Sequence, residues 1–400
     1  MQDPLGEAPP VETRKAVTGI LVIVAGLALI IAIRPSLWVT VAIIVGLIVT
    51  IMLHEFGHYL MAKRAGMKVT EFFLGFGPRI WSFRKGETEY GIKAIPAGGY
   101  VRIIGMTNLE EVDPEDESRT YRASTTGKKL AVVLAGITVN LVIFVLLVFM
   151  ILSFNGQPEL STTLDRVAKG SPAAAAGIEP GDQVVAIDGK PIDSWDELGE
   201  AVRPRAGEPI EVVVERDGAR RTIEVTPQNV DGAGRIGVVS RIVNREYTVP
   251  EAGWRSVTML WTGTEQVGEA LGRVFSPSGV ERYSRTVVDP DAKNGISAQE
   301  RPRSVIGIVA DGDDMVGGNV WALLALIASI NLFLALLNAI PLPPLDGGHA
   351  AVAIYEWAAS KVTGRKVQVD YRRVTPVAAV VIVFLLMFGL SAMYLDIRGL

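Results

Sequence analysis

The stretch that decides the fold is Ile51-Met-Leu-His-Glu-Phe-Gly-His-Tyr59, which ends a long apolar run. His54 and His58 are four residues apart, so a helix places both on one face, about one turn apart. Two imidazoles at that spacing suit one Zn²⁺, and Glu55 beside them can reach a water at the metal as general base. The chain has only three histidines, and such groups at bilayer depth are costly unless they bind or catalyse. The stretch therefore predicts a metal site rather than a chance pattern on a helix surface.

Composition places the chain among membrane proteins. Of its 400 residues, 49% are apolar, and the mean hydropathy is +0.32, which favours membrane spans over two or three soluble domains. The net charge of -4 comes without a strongly basic face, so nucleic acid is not an expected partner. The sequence has no Walker phosphate loop, so no nucleotide is expected either. It has no cysteine, and its fold therefore cannot depend on disulfides.

Long apolar runs predict an α-helical polytopic membrane protein with four core spans and one extra span near the N-terminus. After a disordered tail at 1–16, the spans are predicted within residues 17–60, which hold the extra span and the first catalytic span, and within 127–154, 319–349 and 375–397. The run at 17–33 is at the short end of the spanning range, so an interfacial segment is the alternative. Arg14 and Lys15 precede this run and it lacks a polar face, which favours a span.

Residues 61–126 change to a β-type period and predict a β-region and loop at one membrane face. Tyr90, Ile92 and Ala94 alternate with polar or small residues, which indicates a strand with one apolar face. A backbone edge left unpaired inside a membrane protein is costly unless another strand completes it. We therefore predict that the strand around Ile92 is an edge that holds the substrate as an added β-strand.

Residues 160–228 form a soluble insert with short strands and turn signals. Pro172 follows Ser171 at the favoured first position of a helix, and Asp217-Gly218 indicates a hairpin between two apolar strands. Along nearly its whole length this insert resembles a PDZ domain of the bacterial protease type, which is an α+β fold. The resemblance implies a single PDZ domain inserted between two spans.

Between this insert and the next span, the pattern predicts a helix at 250–275 and then a polar loop and lead-in at 276–318, of which residues 276–303 are expected to be mobile. Trp254, Val257 and Trp261 lie on one side of the helix at helical spacing. Packing in a protein core and contact with the membrane interface both explain such an apolar side. The sequence does not choose between them.

Counting spans brings a second motif to the metal site. One span, at 127–154, separates the span that ends in His54 from the span that ends near Asp346, so both motifs emerge at the same membrane face. Asp346 is then a candidate third ligand, which leaves the open fourth position of a catalytic zinc site. His349 is the rival candidate; its alternative is a place behind the site or in a local hydrogen bond.

Basic residues mark the face at which these motifs emerge. Lys63, Arg64, Lys128 and Lys129 border one set of span ends, whereas the opposite short connection holds only Arg34. Because positive charge is enriched in cytoplasmic loops, the metal site is predicted toward the cytoplasm and the insert outside. The expected location is a bacterial plasma membrane.

The motifs together resemble a known family. His54-Glu-Phe-Gly-His58, the segment from Asn338 to Gly348 and the inserted PDZ-like domain look like those of the site-2 proteases, which are intramembrane zinc metalloproteases. The arrangement is similar to the regulator of sigma-E protease and its actinobacterial relatives, and it covers the chain from about residue 37 onward. The first predicted span lies outside that motif-bearing core.

The resemblance implies roles for particular residues. It implies that His54, His58 and Asp346 bind Zn²⁺, that Glu55 is the catalytic base, and that Asn338 contacts the substrate or the transition state. It places His349 behind the site. It also implies that the segment with Gly75, Phe76 and Gly77, together with the strand that holds Tyr90, Ile92 and Ala94, forms a membrane-embedded β-region at the substrate.

Asn140 is a polar group well inside the span at 127–154. One interpretation gives it a hydrogen bond to a neighbouring helix, and the other gives it a direct role at the substrate. Many members of the family have Gly-Pro before this asparagine, whereas this chain has Gly136-Ile137.

The predicted function is hydrolysis of single-span membrane proteins within the bilayer. The resemblance suggests substrates already trimmed outside, such as anti-sigma factors or signal-peptide remnants, with the PDZ-like domain as a size filter or a reader of new C-termini. A zinc transporter is one rival, but outside the motifs the spans offer only Asn140 and Asn331 as polar groups for a path. A non-catalytic PDZ scaffold is the other, and it would not need an intact His-Glu-x-x-His.

Overall fold

The structure, a computed structural model, describes residues 25–26, 29, 31–289 and 302–399. The predicted tail at 1–16 and most of the extra span at 17–33 lie outside these residues. The chain divides into two compact units, Met1–Phe149 with Gly253–Leu400, and Met150–Ala252. We call them the membrane unit and the inserted unit.

The helices and strands alternate in blocks along the chain. The helices are α1 (Trp38–Arg64), α2 (Thr126–Phe154), α3 (Pro172–Ala176), α4 (Trp195–Val202), α5 (Val249–Phe275), α6 (Pro277–Val288), α7 (Val305–Val316), α8 (Val320–Ala339), α9 (Asp346–Thr363) and α10 (Tyr371–Gly399). The strands are β1 (Val69–Lys85), β2 (Thr88–Ile103), β3 (Gln157–Val167), β4 (Gln183–Ile187), β5 (Lys190–Pro191), β6 (Ile210–Arg216), β7 (Ala219–Val225), β8 (Gln228–Val230), β9 (Ala233–Arg235) and β10 (Val238–Arg245).

Four helices are long and apolar enough to cross a membrane among the residues described. They run over Pro35–Arg64, Thr126–Phe154, Val320–Ala339 and Tyr371–Arg398. Their apolar side chains are largely exposed in the isolated chain, as expected for helices that face lipid. The chain is therefore an integral membrane protein, and the four core spans stand where the apolar runs predict them.

The membrane unit packs α1 closely against its neighbours. Val39 and Ile43 of α1 are fully buried in a cluster with Val316 of α7 and Leu323 of α8. Further along α1, a Cβ on Gly57 would lie only 2.8 Å from the carbonyl oxygen of Ala135. Glycine at this position lets α1 and α2 approach within backbone contact, which brings the His-Glu-x-x-His turn against α2.

The β-region consists of two long strands that bend and pair with each other twice. Tyr90 pairs with Phe72 on one side and with Phe83 on the other, and Ile92 is also paired on both sides. The segment of β2 at 99–103 pairs only with the first half of β1, so it forms an outer edge of this folded sheet. The far half of β1 forms the other edge.

The prediction of a free edge at Tyr90 and Ile92 is therefore wrong. Alternation along one strand reports its two faces but not its neighbours, and here the bend of β1 supplies a neighbour on each side. Ala94 is exposed, and it lies between Lys93 and Ile95, which pair with Arg79 and Phe76 of β1.

The inserted unit is an antiparallel sheet with two short helices. The strand order is β10-β3-β4-β6-β7, with β5 paired to β4, and β8 and β9 form a separate hairpin. Its core holds the buried side chains of Leu164, Val184, Val212 and Val214. The predicted boundaries of 160–228 are too narrow, because β3 begins at Gln157 and β10 returns to pair with it. Such pairing between strands about 80 residues apart leaves no local sequence signal.

The predicted helix at 250–275 is α5, and its exposure decides between the two interpretations of its apolar side. Trp254 and Trp261 are 73% and 69% exposed, so they do not pack in a protein core. On the opposite side, a Cβ on Gly263 would lie 2.8 Å from Leu332 of α8. The tryptophan side is thus free to contact the membrane interface, where this residue is enriched.

The segment 276–318, predicted as a polar loop and lead-in, contains two helices. Helix α6 begins at a Ser276 N-cap, and the ring of Tyr283 lies 5.0 Å from that of Phe388 in α10. Helix α7 packs against α1 through Val316. The prediction of a loop is wrong for these residues, because contacts with α10 stabilise the polar helix α6 and apolar residues of α7 pack against α1; residues 290–301 lie outside the described part.

Candidate metal centre

Three side chains from distant parts of the chain place one donor atom each at a common point. The Oδ2 atom of Asp346 lies 3.2 Å from Nε2 of His54 and 3.2 Å from Nε2 of His58. The two Nε2 atoms are themselves 3.2 Å apart. Among the residues that the structure describes, this is the one cluster of three such groups able to hold a metal ion.

The triangle of donors fits zinc. Three corners of a tetrahedron with edges of 3.2 Å have their centre about 2.0 Å from each corner, which is the usual length of Zn–N and Zn–O bonds. Two neutral nitrogen lone pairs and a carboxylate oxygen that converge in a nearly buried space repel one another. A cation at their centre removes that repulsion, and a fourth direction stays open.

A hydrogen bond fixes which nitrogen of His58 faces this point. Its Nδ1 donates to the carbonyl oxygen of Val132 in α2, at 2.8 Å. Because a carbonyl can only accept, the proton of a neutral His58 lies on Nδ1 and the lone pair lies on Nε2. Contacts of this kind orient metal-binding histidines.

Gly136 closes the site from behind. A Cβ at this position would lie 2.4 Å from Nε2 of His58 and 2.7 Å from Nε2 of His54. Any side chain here would push both donors out of place. From the sequence, Gly136 stands out only as the glycine of Gly136-Ile137, where many family members have Gly-Pro before the asparagine; a glycine inside an otherwise apolar helix is the signal that could have identified it.

Asp346 reaches the histidines because of the two glycines that follow it. It is the first residue of α9, after the turn that leaves α8. A Cβ on Gly347 would lie 2.3 Å from the carbonyl oxygen of Ala339, and one on Gly348 would lie 2.4 Å from the nitrogen of Pro343. Only residues without a side chain allow α9 to begin directly against the end of α8.

Glu55 lies between the donors and the edge of the β-region. The backbone of Val101 lies against its carboxylate, and a Cβ on Gly99 would lie 3.4 Å from its Cγ. The predicted base is therefore in contact with the outer segment of β2 and adjoins both histidines in α1. Gly99 and Val101 are not among the site residues predicted from the sequence.

The other predicted site residues lie at various places around this cluster. Asn338 is in the last turn of α8, half-buried. Asn140 is 1% exposed, one turn beyond Gly136 in α2, and its Oδ1 has no hydrogen-bond partner among the described residues. His349 is not one of the three donors; its ring stacks on that of Tyr371, with 6.4 Å between centroids.

Gly75, Phe76 and Gly77 lie in the far part of the β-region. Both glycines have positive φ angles, of 86° and 82°, where glycine is favoured. The ring of Phe76 is 45% exposed and stacks on Tyr100 at 5.9 Å. The structure does not bring these three residues into the donor cluster.

Comparison with known proteins finds relatives that are named zinc metalloproteases. The model of Peptidase family M50 matches residues 42–387. The zinc metalloprotease Rip1 of Mycobacterium tuberculosis (strain ATCC 25618 / H37Rv) is 35% identical over 391 residues, which cover 88% of this chain and 95% of that protein. The zinc metalloprotease Rip1 of Mycolicibacterium smegmatis is 32% identical over 349 residues, covering 78% and 84%. The metalloprotease MmpA of Caulobacter vibrioides is 27% identical over 354 residues, covering 80% and 87%.

The chain therefore belongs to Peptidase family M50, the site-2 proteases. It is an intramembrane zinc metalloprotease, as the resemblance of its motifs implied, and its three-donor cluster suits that metal.

Proposed function

We propose that this enzyme cleaves single-span membrane proteins inside the bilayer, with Zn²⁺ held by His54, His58 and Asp346 and with Glu55 as general base. The observation that carries this assignment is the triangle of donor atoms, 3.2 Å on each side, with Glu55 next to it in α1. The three donors leave one side open, and Glu55 lies where a reacting water would need a base.

The chemistry divides between the metal and the protein. Zinc, when bound, acts as a Lewis acid and lowers the pKa of a ligand water toward about 7. Glu55 accepts a proton from the attacking water and returns it to the amine nitrogen of the broken peptide bond, so that one water is added across the C–N bond. Asn338 is assigned to a hydrogen bond with the oxygen of the scissile carbonyl as negative charge develops there.

The substrate must be extended before it is cut. In a helix its carbonyl groups are bonded to N–H groups four residues on, so the segment at the scissile bond has to unwind. We assign its binding to the outer segment of β2 at 99–103, in place of the inner strand around Tyr90 and Ile92. This segment is an edge and its Gly99 lies beside Glu55, so a strand added there would pass the base.

The inserted unit is assigned as a PDZ-like domain that limits substrates to those already trimmed. Its compact α+β core is separate from the membrane unit, and its sequence carries the PDZ resemblance. Anti-sigma factors and signal-peptide remnants are substrates of suitable form. The excess of lysine and arginine at the ends of α1 and α2 supports a metal site toward the cytoplasm of a bacterial plasma membrane, with this unit outside.

One reconstitution experiment separates this function from its rivals. Purified protein in lipid vesicles would be supplied with zinc and with a model single-span substrate. Zinc-dependent cleavage that is lost in Glu55→Gln supports the protease. Zinc movement across the vesicle without cleavage would support a transporter, and substrate binding without either would support a scaffold.

A further inference from the structure

A nearly buried ion pair joins α2, which contacts the two histidines from behind, to α9, which supplies the carboxylate of the metal centre. Nζ of Lys129 in α2 lies 2.8 Å from Oε2 of Glu356 in α9, and the two side chains are 10% and 12% exposed. Removing two charges from water costs about as much as their attraction returns, so such a pair is weak evidence for stability. Its position in the fold is more informative than its energy.

Each helix of the pair carries a different part of the site. Three residues beyond Lys129, α2 presents the Val132 carbonyl that accepts the hydrogen bond of His58. Helix α9 begins with Asp346, the third donor. The ion pair therefore connects the helix that orients the histidines to the helix that supplies the carboxylate.

The buried face of α9 offers little apolar side-chain surface. Its buried residues are Gly347, Gly348, Ala350 and Ala353, which offer little side-chain surface. Its larger apolar side chains are mostly exposed, with Tyr355 at 60% and Trp357 at 52%. Small residues let a helix approach its neighbours closely but bury little side-chain surface, so a directional contact such as this ion pair contributes to fixing the rotation of α9.

Both partners of the ion pair are fixed by further contacts. Oε1 of Glu356 accepts a hydrogen bond from the backbone nitrogen of Val369, at 3.0 Å. Nζ of Lys129 also lies 5.6 Å from the centroid of the Tyr121 ring. Because neither charge is free to follow a shifting helix, their bond defines one register of α9 against α2.

We propose that Lys129 and Glu356 are positioning residues that set Asp346 against His54 and His58. This inference rests on the proposed assignment of Asp346 as a zinc ligand. The two residues act through helix register and do not touch the metal. Loss of either residue leaves all three zinc ligands present but lets Asp346 shift relative to His54 and His58. Zinc is therefore released faster.

The test measures zinc release from the purified full-length protein with a chelating dye. Lys129→Met and Glu356→Gln should each speed release about 10-fold, within the range of 10- to 100-fold typical of residues that support metal ligands. The charge swap Lys129→Glu with Glu356→Lys restores the attraction but not the hydrogen bond from Val369 or the contact with Tyr121, so it should recover part of the loss and release zinc more slowly than either single variant. Arg303→Met is the control: it removes ion pairs with Asp311 in α7, at 2.7 Å, and with Asp396, at 3.6 Å, neither of which is a donor of the metal centre, and it should leave release unchanged.

Thermal unfolding of the zinc-free variants separates positioning from a purely structural role. Glu356→Gln preserves the shape of the side chain and its hydrogen bond from Val369, so its zinc-free form should unfold near the wild-type temperature. The inference would be overturned if both single variants released zinc at the wild-type rate. It would also be overturned if the variants released zinc faster and their zinc-free forms unfolded at correspondingly lower temperatures. Full zinc retention in Asp346→Ala would instead overturn the ligand assignment on which it rests.

Discussion

His58 donates a 2.8 Å hydrogen bond from Nδ1 to the carbonyl oxygen of Val132, so the second membrane span orients a ring that the first one carries. This bond, together with Gly136 behind the rings, makes α2 part of the metal centre although it supplies no ligand. Changes in α2 should therefore alter zinc binding.

Gly136→Ala should weaken zinc binding at least 10-fold, because the added methyl group would lie 2.4 Å from Nε2 of His58 and must displace a ligand. Gly127→Ala is the matched control in the same helix, where an added Cβ meets nothing within 4 Å. Zinc competition with a chelator measures both. Equal zinc affinity in the two variants would show that a side chain at position 136 does not displace the zinc ligands.

Disulfide crosslinking should locate the substrate at the edge of β2. The natural chain has no cysteine, so any disulfide formed with the substrate must involve the introduced thiol. In the Glu55→Gln protein, Val101→Cys should crosslink to a substrate with a cysteine near its scissile bond. Tyr90→Cys should crosslink several-fold less, because it lies two strands further in, about 10 Å away. Stronger crosslinking from Tyr90, or from Phe83 at the opposite edge, would contradict the assigned edge.

Removal of the inserted sheet should widen the choice of substrate without loss of hydrolysis. Gln157 and Arg245 face each other across β3 and β10, about 5 Å apart, so a short Gly-Ser linker can replace the residues between them. The variant should cut a short pre-trimmed substrate at near wild-type rate and should also cut one with its external domain attached. Loss of all cleavage in a variant that still binds zinc would reject the filter.

The inserted unit should lose stability in acid through one carboxylate. Burial tends to raise the pKa of Asp182, but two hydrogen bonds from Arg216, at 2.6 and 2.7 Å, outweigh burial and lower that pKa. A lowered pKa in the folded state stabilises the unit above the unfolded pKa of about 3.9, and this stability is lost as the pH falls through the folded value. Hydrogen exchange of residues 150–252 should speed up over that range, and Asp182→Asn should flatten the dependence. The same pH dependence in Asp182→Asn would exclude this carboxylate.

The features that could be predicted from the sequence are those that follow from local residue patterns and from counting the membrane spans. The spacing of His54 and His58 and the direction of the spans together brought Asp346 to the same membrane face, where the structure places its carboxylate. The sequence did not predict the strand order of the β-region, since alternation around Ile92 describes faces and not neighbours. Gly136 and Gly99 also escaped prediction, because a glycine that allows close approach is informative only when its neighbour is known.

In the proposed mechanism, His54, His58 and Asp346 hold zinc while Glu55 transfers the proton. The most direct test determines zinc per protein by mass spectrometry together with cleavage of a model single-span substrate, in wild type, Glu55→Gln and Asp346→Ala. Glu55→Gln should keep one zinc and lose at least 100-fold in cleavage, as expected for removal of a general base. Asp346→Ala should lose both. Full zinc occupancy in Asp346→Ala, or wild-type cleavage by Glu55→Gln, would contradict the account.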